Sequence, residues 1–126
     1  MSNQMRPRVL LADDNTRILT ALRRLLSPSC EILECVTDGL ALLEATSRLK
    51  PDVVLLDVRM RDINGLDACY RIKQQAPQTI VIFVTASNDI EIKKKALSLG
   101  ASAFVLKHLV VNELLGAIQK AMVDDA

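Results

Sequence analysis

The sequence predicts an α/β domain in which a parallel β-sheet is covered by helices on both faces. Five short apolar runs alternate with five segments whose apolar residues recur at helical spacing. Strict alternation of this kind favours parallel strands joined by helical crossovers. The runs at 53–56 and 80–84 are apolar at every position, as strands buried on both faces require. The five predicted strands are residues 8–12, 31–36, 52–56, 79–84 and 103–106.

The first two predicted helices have clear end signals. The apolar face of the first helix ends before Ser27 and Pro28, and its members are Ile18, Leu19, Leu22, Leu25 and Leu26. Asp38 is suited to cap the second helix, because an aspartate side chain can accept hydrogen bonds from the first free N–H groups. We expect this helix to run to about residue 48 and to stop before Pro51.

The remaining three helices follow the same logic. Asn64 and Gly65 open the third helix, which is expected to end near residue 75. The fourth is expected to span about 88–99, with Gly100 well suited to a left-handed C-cap. The fifth is indicated by apolar residues at helical spacing, which are Leu114, Ala117, Ile118 and Ala121.

The composition limits the domain count and the class of partner. The 126 residues are predicted to form a single domain, 1–126, with residues 1–6 as a flexible N-terminal tail. A net charge of +1 provides no excess of cations for DNA phosphates, so direct nucleic-acid binding by this domain is not expected. No signal peptide or membrane span is recognisable. The three cysteines lack paired metal-site spacing, which favours free thiols and a cytoplasmic location.

The candidate site residues directly follow four of the five apolar runs. They are Asp13 and Asp14 after the first run, Asp57 after the third, Thr85 after the fourth and Lys107 after the fifth. Ligands of open α/β sheets bind beyond the carboxyl ends of the strands, where all of these residues should lie. Each has an ordinary structural explanation when it is taken alone: Asp13 or Asp14 could cap the first helix, and Lys107 could be a solvated charge.

The combination of these residues indicates a site for a cation and a phosphoryl group. Two carboxylates about 4 Å apart repel each other by ~4 kcal/mol at an effective dielectric constant near 20, so three of them call for a cation. An all-oxygen site with few protein ligands suits Mg²⁺, which keeps several waters and favours phosphate oxygens as partners. Lys107 would add a second positive charge for a dianionic group.

The residues that carry these patterns match a known family over nearly the whole chain. The sequence resembles the receiver domain of bacterial two-component response regulators, and the matching segments are VLLADDNTRIL, PDVVLLDVRMRDINGLDACYRIK, IVIFVTASND and ALSLGASAFVLKHLVVNELLGAI. The segments LLADDN and LGASAFVLK look most like the NarL/FixJ class. The resemblance implies a flavodoxin-like, doubly wound five-stranded parallel sheet with strand order 2-1-3-4-5 and helices on both faces.

The same resemblance implies a role for each site residue. Asp57 would be the phosphoacceptor, and Mg²⁺, or Mn²⁺ as a substitute, would be held by Asp13, Asp14, Asp57 and the backbone carbonyl of Arg59. The implied phosphoryl-contacting residues are Thr85, Ala86 and Lys107. Thr85 and Phe104 would form the conformational switch, although Phe104 could equally be an ordinary core aromatic on spacing alone. Arg59 and Ser87 would affect the lifetime of the phosphoryl group.

Two positions depart from the family pattern. Arg61 stands where the family usually has proline, which suggests a less rigid loop after Asp57. His108 stands where many members have a cis-proline. Because a cis bond before a residue other than proline costs about 2.5–4 kcal/mol, we expect a trans bond and an altered path into the last helix.

The expected partners are also those of the family. A sensor histidine kinase or a histidine phosphotransfer protein would supply the phosphoryl group, and no turnover of a separate substrate is expected. Val110, Val111 and Leu115 lie off the core stripe of the last helix, which suggests a homodimer there. The output would pass either through a C-terminal DNA-binding domain outside this sequence, as part of transcription regulation, or through docking of this domain to a partner protein.

Three other functions fit the sequence less well. A degenerate receiver could act as a phosphorylation-independent interaction module, but the five polar residues at the predicted sheet edge are all present. A phosphatase with an aspartate nucleophile would need a second carboxylate two residues after Asp57, where Arg59 stands. A flavin carrier would need a phosphate-binding loop after the first strand, where Asp13 and Asp14 would repel the phosphate.

Overall fold

A computed structural model of the protein describes residues 6–124. Most of the predicted N-terminal tail therefore lies outside the described residues. Arg6 is described, and its guanidinium donates hydrogen bonds to the carbonyl oxygens of Ser27, at 2.9 Å, and Cys30, at 3.1 Å. These bonds tie Arg6 to the turn that follows the first helix.

Five strands form one parallel sheet. They are β1 (Arg8–Ala12), β2 (Glu31–Val36), β3 (Val53–Leu56), β4 (Ile80–Thr85) and β5 (Ala103–Leu106). Their order in the sheet is β2-β1-β3-β4-β5, and every neighbouring pair is parallel. Every residue of β3 and β4 is buried, as expected for strands with helices on both faces. The predicted fold class and strand order are thus confirmed.

Five α-helices connect or follow the strands. They are α1 (Thr16–Leu26), α2 (Gly39–Leu49), α3 (Gly65–Gln75), α4 (Ile90–Ser98) and α5 (Val110–Asp124). Asp38 caps α2 through the N–H of Ala41, and Gly100 adopts the left-handed conformation with φ 107°, both as predicted. The fourth helix starts later than residue 88, because Asp89 is its cap and accepts a hydrogen bond from the N–H of Glu91.

The sheet separates two hydrophobic cores. Along β1, Val9 and Leu11 pack into the core that includes residues of α1 and α5. Leu10 and Ala12 point to the opposite face, where the core includes residues of α2, α3 and α4. This two-residue alternation lets one short strand contribute to both cores. The carboxyl ends of the central strands lie between the two layers of helices.

A short 3₁₀ turn, Lys107–Leu109, joins β5 to α5 and was not predicted. No cis peptide bond occurs within the described part of the chain, so the bond before His108 is trans, as expected. None of the helices in residues 6–124 has the length and apolar character that crossing a membrane requires.

Candidate functional site

The strand register brings the predicted site residues to one edge of the sheet. Ala12 and Leu56, the last residues of β1 and β3, are paired partners, so Asp13 and Asp57 leave the sheet side by side. Thr85 at the end of β4 pairs with Leu106, so Lys107 leaves β5 next to it. Parallel strands end in the same direction, which is why residues far apart in sequence meet here.

Lys107 forms ion pairs with two aspartates. Its ammonium nitrogen lies 2.8 Å from Oδ2 of Asp57 and 2.9 Å from Oδ2 of Asp13. Asp13 is 1% exposed and Asp57 is 6% exposed, whereas the Lys107 side chain is 19% exposed. One cation therefore joins two buried carboxylates that come from different strands.

The positive charge of Lys107 only partly compensates this acidic pair. Burial raises the pKa of Asp13 above its usual range, although hydrogen bonds from Lys107 and from the N–H of Asn15 act in the opposite direction. Burial alone would lower the pKa of Lys107, but the two carboxylates outweigh it, and the pKa is raised. Two carboxylates against one ammonium leave a net negative charge, which a further cation would neutralise.

The first helix is capped by neither of the two N-terminal aspartates. Asn15 is the N-cap, and its side-chain oxygen accepts a hydrogen bond from the N–H of Arg17 at 2.9 Å. Asp13 Oδ1 instead accepts from the N–H of Asn15 at 2.9 Å, which turns the chain after β1. Asp14 is exposed. The explanation of Asp13 and Asp14 as α1 caps is therefore excluded.

The predicted metal ligands form only part of a cluster. Within residues 6–124, no three side chains of His, Cys, Asp or Glu are grouped closely enough to hold a metal ion by themselves. Oδ2 of Asp13 and Oδ2 of Asp57 do converge on one cationic atom. Such an incomplete oxygen site fits Mg²⁺, which commonly uses one or two carboxylates and completes its shell with waters and phosphate oxygens. The metal-ligand roles of Asp13, Asp14, Asp57 and the Arg59 carbonyl all stay predictions.

The residues around β4 provide a hydroxyl and open space. Thr85 is buried, and its Oγ1 lies 3.4 Å from the N–H of Ser87. Ala86 is exposed, and Ser87 is half-buried, with its Oγ 3.3 Å from the N–H of Asp89. Phe104 is half-buried, and its ring centroid lies 6.2 Å from that of Phe83. The switch roles of Thr85 and Phe104 and the lifetime role of Ser87 stay predictions.

The backbone after Asp57 is held close to the Asp57 carboxylate. The N–H of Arg59 lies 3.4 Å from Oδ1 of Asp57, while the exposed side chain of Arg59 leaves its lifetime role a prediction. Arg61 is bridged to Asp38 in a short parallel pairing, and its carbonyl accepts from the N–H of Ile63 at 2.8 Å. The expectation that Arg61 makes the loop less rigid stays a prediction.

Gly65 packs against the backbone that follows Asp57 and helps to position it. The sequence pattern predicted only that Gly65 lies at the start of a helix. Its N–H donates to the carbonyl oxygen of Val58 at 2.7 Å. A Cβ atom on Gly65 would overlap the carbonyl oxygen of Asp57 and would lie 2.9 Å from Cα of Val58. The first turn of α3 therefore packs directly against the backbone of Asp57 and Val58. An Asn-Gly pair ahead of a helix is the only sequence signal for this contact.

We expect Gly65→Ala to reduce the free energy of unfolding by about 2 kcal/mol or more, because backbone atoms cannot rotate away from the new methyl group. Urea denaturation measures the change. Gly116→Ala is the matched control: a Cβ at this position on α5 would have no atom within 4 Å, and alanine should stabilise that helix by about 0.5–1 kcal/mol. Equal effects of both substitutions would contradict the close contact at Gly65.

The three apolar residues expected to lie off the core stripe of α5 differ in exposure. Val111 is 77% exposed, whereas Val110 and Leu115 are partly buried against the core. Of these three residues only Val111 is strongly exposed, and Val123, later in α5, is 74% exposed as well. Dimerisation through this helix stays a prediction.

Several known proteins are similar to this chain over most of its length. The family described as the response regulator receiver domain matches residues 9–119. The DNA-binding transcriptional activator EvgA of Escherichia coli strain K12 is 32% identical over 113 residues, which cover 89% of this chain and 55% of EvgA. Among the curated relatives that the chain matches, EvgA and several others are about twice its length or longer, since the chain spans 25% to 55% of them.

Two solved receiver domains share the fold. The receiver domain of the response regulator NarL from Mycobacterium tuberculosis has a TM-score of 0.81 and 30% identity, with 94% of each chain covered. The BeF3-activated receiver domain of DrrB has a TM-score of 0.85 and 27% identity, with 94% of this chain and 99% of that chain covered.

Proposed function

The chain belongs to the response regulator receiver domain family, and from that premise we propose that Asp57 accepts a phosphoryl group from a phosphohistidine. A sensor histidine kinase or a histidine phosphotransfer protein would present the donor. The observation that carries this proposal is the ion pair of 2.8 Å between Asp57 and Lys107 at the carboxyl end of the buried strand β3. It places a carboxylate nucleophile beside a fixed positive charge.

The transfer exchanges one bond to phosphorus for another. A carboxylate oxygen of Asp57 attacks phosphorus in line, and the P–O bond forms while the P–N bond to the imidazole breaks. The bonding pair stays on the imidazole nitrogen, which then takes a proton from solvent. Such a reaction leaves little covalent work for the protein beyond positioning and charge neutralisation. Hydrolysis reverses the state of Asp57: water attacks phosphorus, inorganic phosphate leaves, and the carboxylate is restored.

The neighbouring residues of this chain orient the group and stabilise its charge. Lys107 would move its ammonium from Asp57 to the phosphoryl oxygens, and the Thr85 hydroxyl would donate a hydrogen bond to the same group. Ala86 would leave space for it. Mg²⁺ or Mn²⁺ would be held by Asp13, Asp14, Asp57 and the Arg59 carbonyl. When bound, the metal would neutralise negative charge on the oxygens of the phosphoryl group. Arg59 and Ser87 would influence the approach of the hydrolytic water.

The signal would leave the site as a shift between two conformations. A phosphoryl group on Asp57 favours the state in which Thr85 moves toward it and Phe104 turns into the space that Thr85 vacates. Phe104 lies on β5, next to the β4 strand that ends at Thr85, so the two residues are suitably placed for this coupling. The half-buried state of Phe104 is compatible with both positions.

The output is proposed to be transcription regulation through another domain or a partner. EvgA, the DNA-binding relative, is about twice as long as the matched region. With a net charge of +1, this domain itself has no excess of cations with which to bind DNA phosphates. The exposed Val111 makes the last helix the candidate surface for a homodimer.

A small acyl-phosphate donor such as acetyl phosphate tests the proposed activity. We expect one phosphoryl group per chain by intact mass in the presence of Mg²⁺, and none when the metal is chelated. Beryllofluoride with Mg²⁺ should bind with the same metal requirement. Uptake of no phosphoryl group and no beryllofluoride would contradict the proposal and favour a phosphorylation-independent interaction module.

A further inference from the structure

A carboxylate in the loop between β3 and α3, residues 57–64, contacts the start of α2. Oδ1 of Asp62 accepts hydrogen bonds from the N–H groups of Gly39 at 2.9 Å, Leu40 at 3.3 Å and Ile63 at 2.6 Å. Gly39 and Leu40 are the first two residues of α2, where N–H groups have no partner within the helix. Asp62 thus caps a helix that belongs to a different part of the chain.

The backbone at both sides of this contact is specialised for it. Asp62 has φ 61°, in the left-handed region that residues other than glycine, asparagine and aspartate rarely adopt. A Cβ on Gly39 would lie 2.5 Å from the carbonyl oxygen of Ile63 and 2.8 Å from its Cβ. The N–H of Gly39 is also 3.3 Å from the carbonyl oxygen of Arg61. Loop and helix therefore fit closely at a point where only glycine is accommodated without movement.

The same loop carries the backbone group that the proposed function assigns to Mg²⁺. Arg59 lies two residues after Asp57 and three before Asp62, and its N–H points to Oδ1 of Asp57. At the other end of the loop, the N–H of Gly65 holds the carbonyl oxygen of Val58. The segment that contains the Arg59 carbonyl is consequently fixed on one side by α3 and on the other by Asp62. Mg²⁺ demands nearly ideal octahedral geometry, so small shifts of one ligand weaken binding.

We propose that Asp62 is a positioning residue of the metal site, which fastens the loop to α2 and so fixes the Arg59 carbonyl beside Asp57. This inference rests on the proposed function, since it assumes that Mg²⁺ binds there. Asp62 acts from outside the ligand set, as supporting hydrogen bonds do in metal sites generally, where their loss typically weakens metal affinity by about 10–100-fold.

Asp62→Gly tests the inference, because glycine keeps the positive φ and removes only the acceptor. We expect the Mg²⁺ dissociation constant, measured by calorimetry on the full chain, to rise about tenfold. Asp62→Asn should restore most of the affinity, since its amide oxygen can still accept the three hydrogen bonds. The matched control is Lys50→Gly, at the other left-handed residue, φ 48°, directly after α2. It should leave the dissociation constant unchanged.

Amide hydrogen exchange without metal supplies a second readout. The N–H groups of Gly39, Leu40 and Ile63 should exchange faster in Asp62→Gly than in the wild type or in Lys50→Gly. Wild-type affinity for Mg²⁺ in Asp62→Gly would overturn this inference alone, because the proposed function would stand. A wild-type chain that fails to bind Mg²⁺ would overturn both. Equal affinity losses in Asp62→Gly and Lys50→Gly would overturn the positioning role and reduce Asp62 to general folding stability.

Discussion

Replacing Asp57 with asparagine should abolish phosphoryl uptake from a small donor, with a rate at least about 10³-fold below that of the wild type. An amide oxygen is a poor nucleophile toward phosphorus, and the loss of a covalent nucleophile removes the reaction path rather than weakening it. The fold should persist, because asparagine has nearly the same shape and its oxygen can accept the hydrogen bond from Lys107 that Asp57 accepts now. Intact mass after timed incubation with acetyl phosphate and Mg²⁺ measures the effect.

Asp57→Asn also has an electrostatic consequence for its neighbour. Burial is the largest cause of the raised pKa of Asp13, and the negative charge of Asp57 adds to it, so neutralising position 57 should lower the pKa of Asp13. NMR titration of the Asp13 carboxyl carbon can follow this shift. Asp67→Asn, at an exposed position in the first turn of α3, is the control and should keep full phosphoryl uptake. Substantial uptake by Asp57→Asn would show that another residue is the acceptor.

Replacing Lys107 with methionine should have opposite effects on folding and on metal binding. Removing the ammonium leaves two buried carboxylates facing each other, and breaking a buried ion pair from one side costs about 3 kcal/mol or more. The free energy of unfolding without metal should therefore fall by roughly that amount. Mg²⁺ should bind the variant more tightly, by about tenfold, because the ammonium no longer competes for Oδ2 of Asp13 and Asp57.

Urea denaturation of Lys107→Met with and without Mg²⁺ measures both effects, since a ligand that binds only the folded state stabilises it by mass action. The increase in stability on adding Mg²⁺ should be larger than in the wild type. Phosphoryl uptake should nevertheless fall, because Lys107 also neutralises the transferring group. Lys120→Met, an exposed lysine on α5, should change none of these quantities. If adding Mg²⁺ stabilises Lys107→Met no more than the wild type, the ammonium of Lys107 does not compete with Mg²⁺ for the two carboxylates.

The placement of the acidic pair could be predicted from the sequence because it follows from topology. Once alternating β and α segments imply parallel strands, the residue after each strand must lie at the same sheet edge. That rule alone places Asp13, Asp57, Thr85 and Lys107 together, and the structure has them there. It could not predict that Lys107, from the edge strand β5, reaches across to carboxylates that follow β1 and β3, which depends on side-chain length and packing.

Other features could not be predicted from the sequence, because they depend on close contact between segments that are distant in sequence. Asn15 caps α1, although Asp13 and Asp14 were equally suitable cap residues on composition. Gly65 and Gly39 looked like ordinary helix-start glycines, yet each faces backbone atoms of another segment. Asp62 carried no signal, since an aspartate in a loop is common. Such contacts follow from the packed structure and not from local pattern.

The location of the transferred phosphoryl group tests the proposed site most directly. The wild-type chain would be incubated with acetyl phosphate and Mg²⁺, and the modified peptide would be identified by mass spectrometry after trapping the acyl phosphate by reduction. We predict one phosphoryl group, on Asp57, that is absent when Mg²⁺ is chelated. A phosphoryl group on any other residue, or uptake that does not depend on the metal, would contradict a site built from Asp57, Asp13 and Lys107.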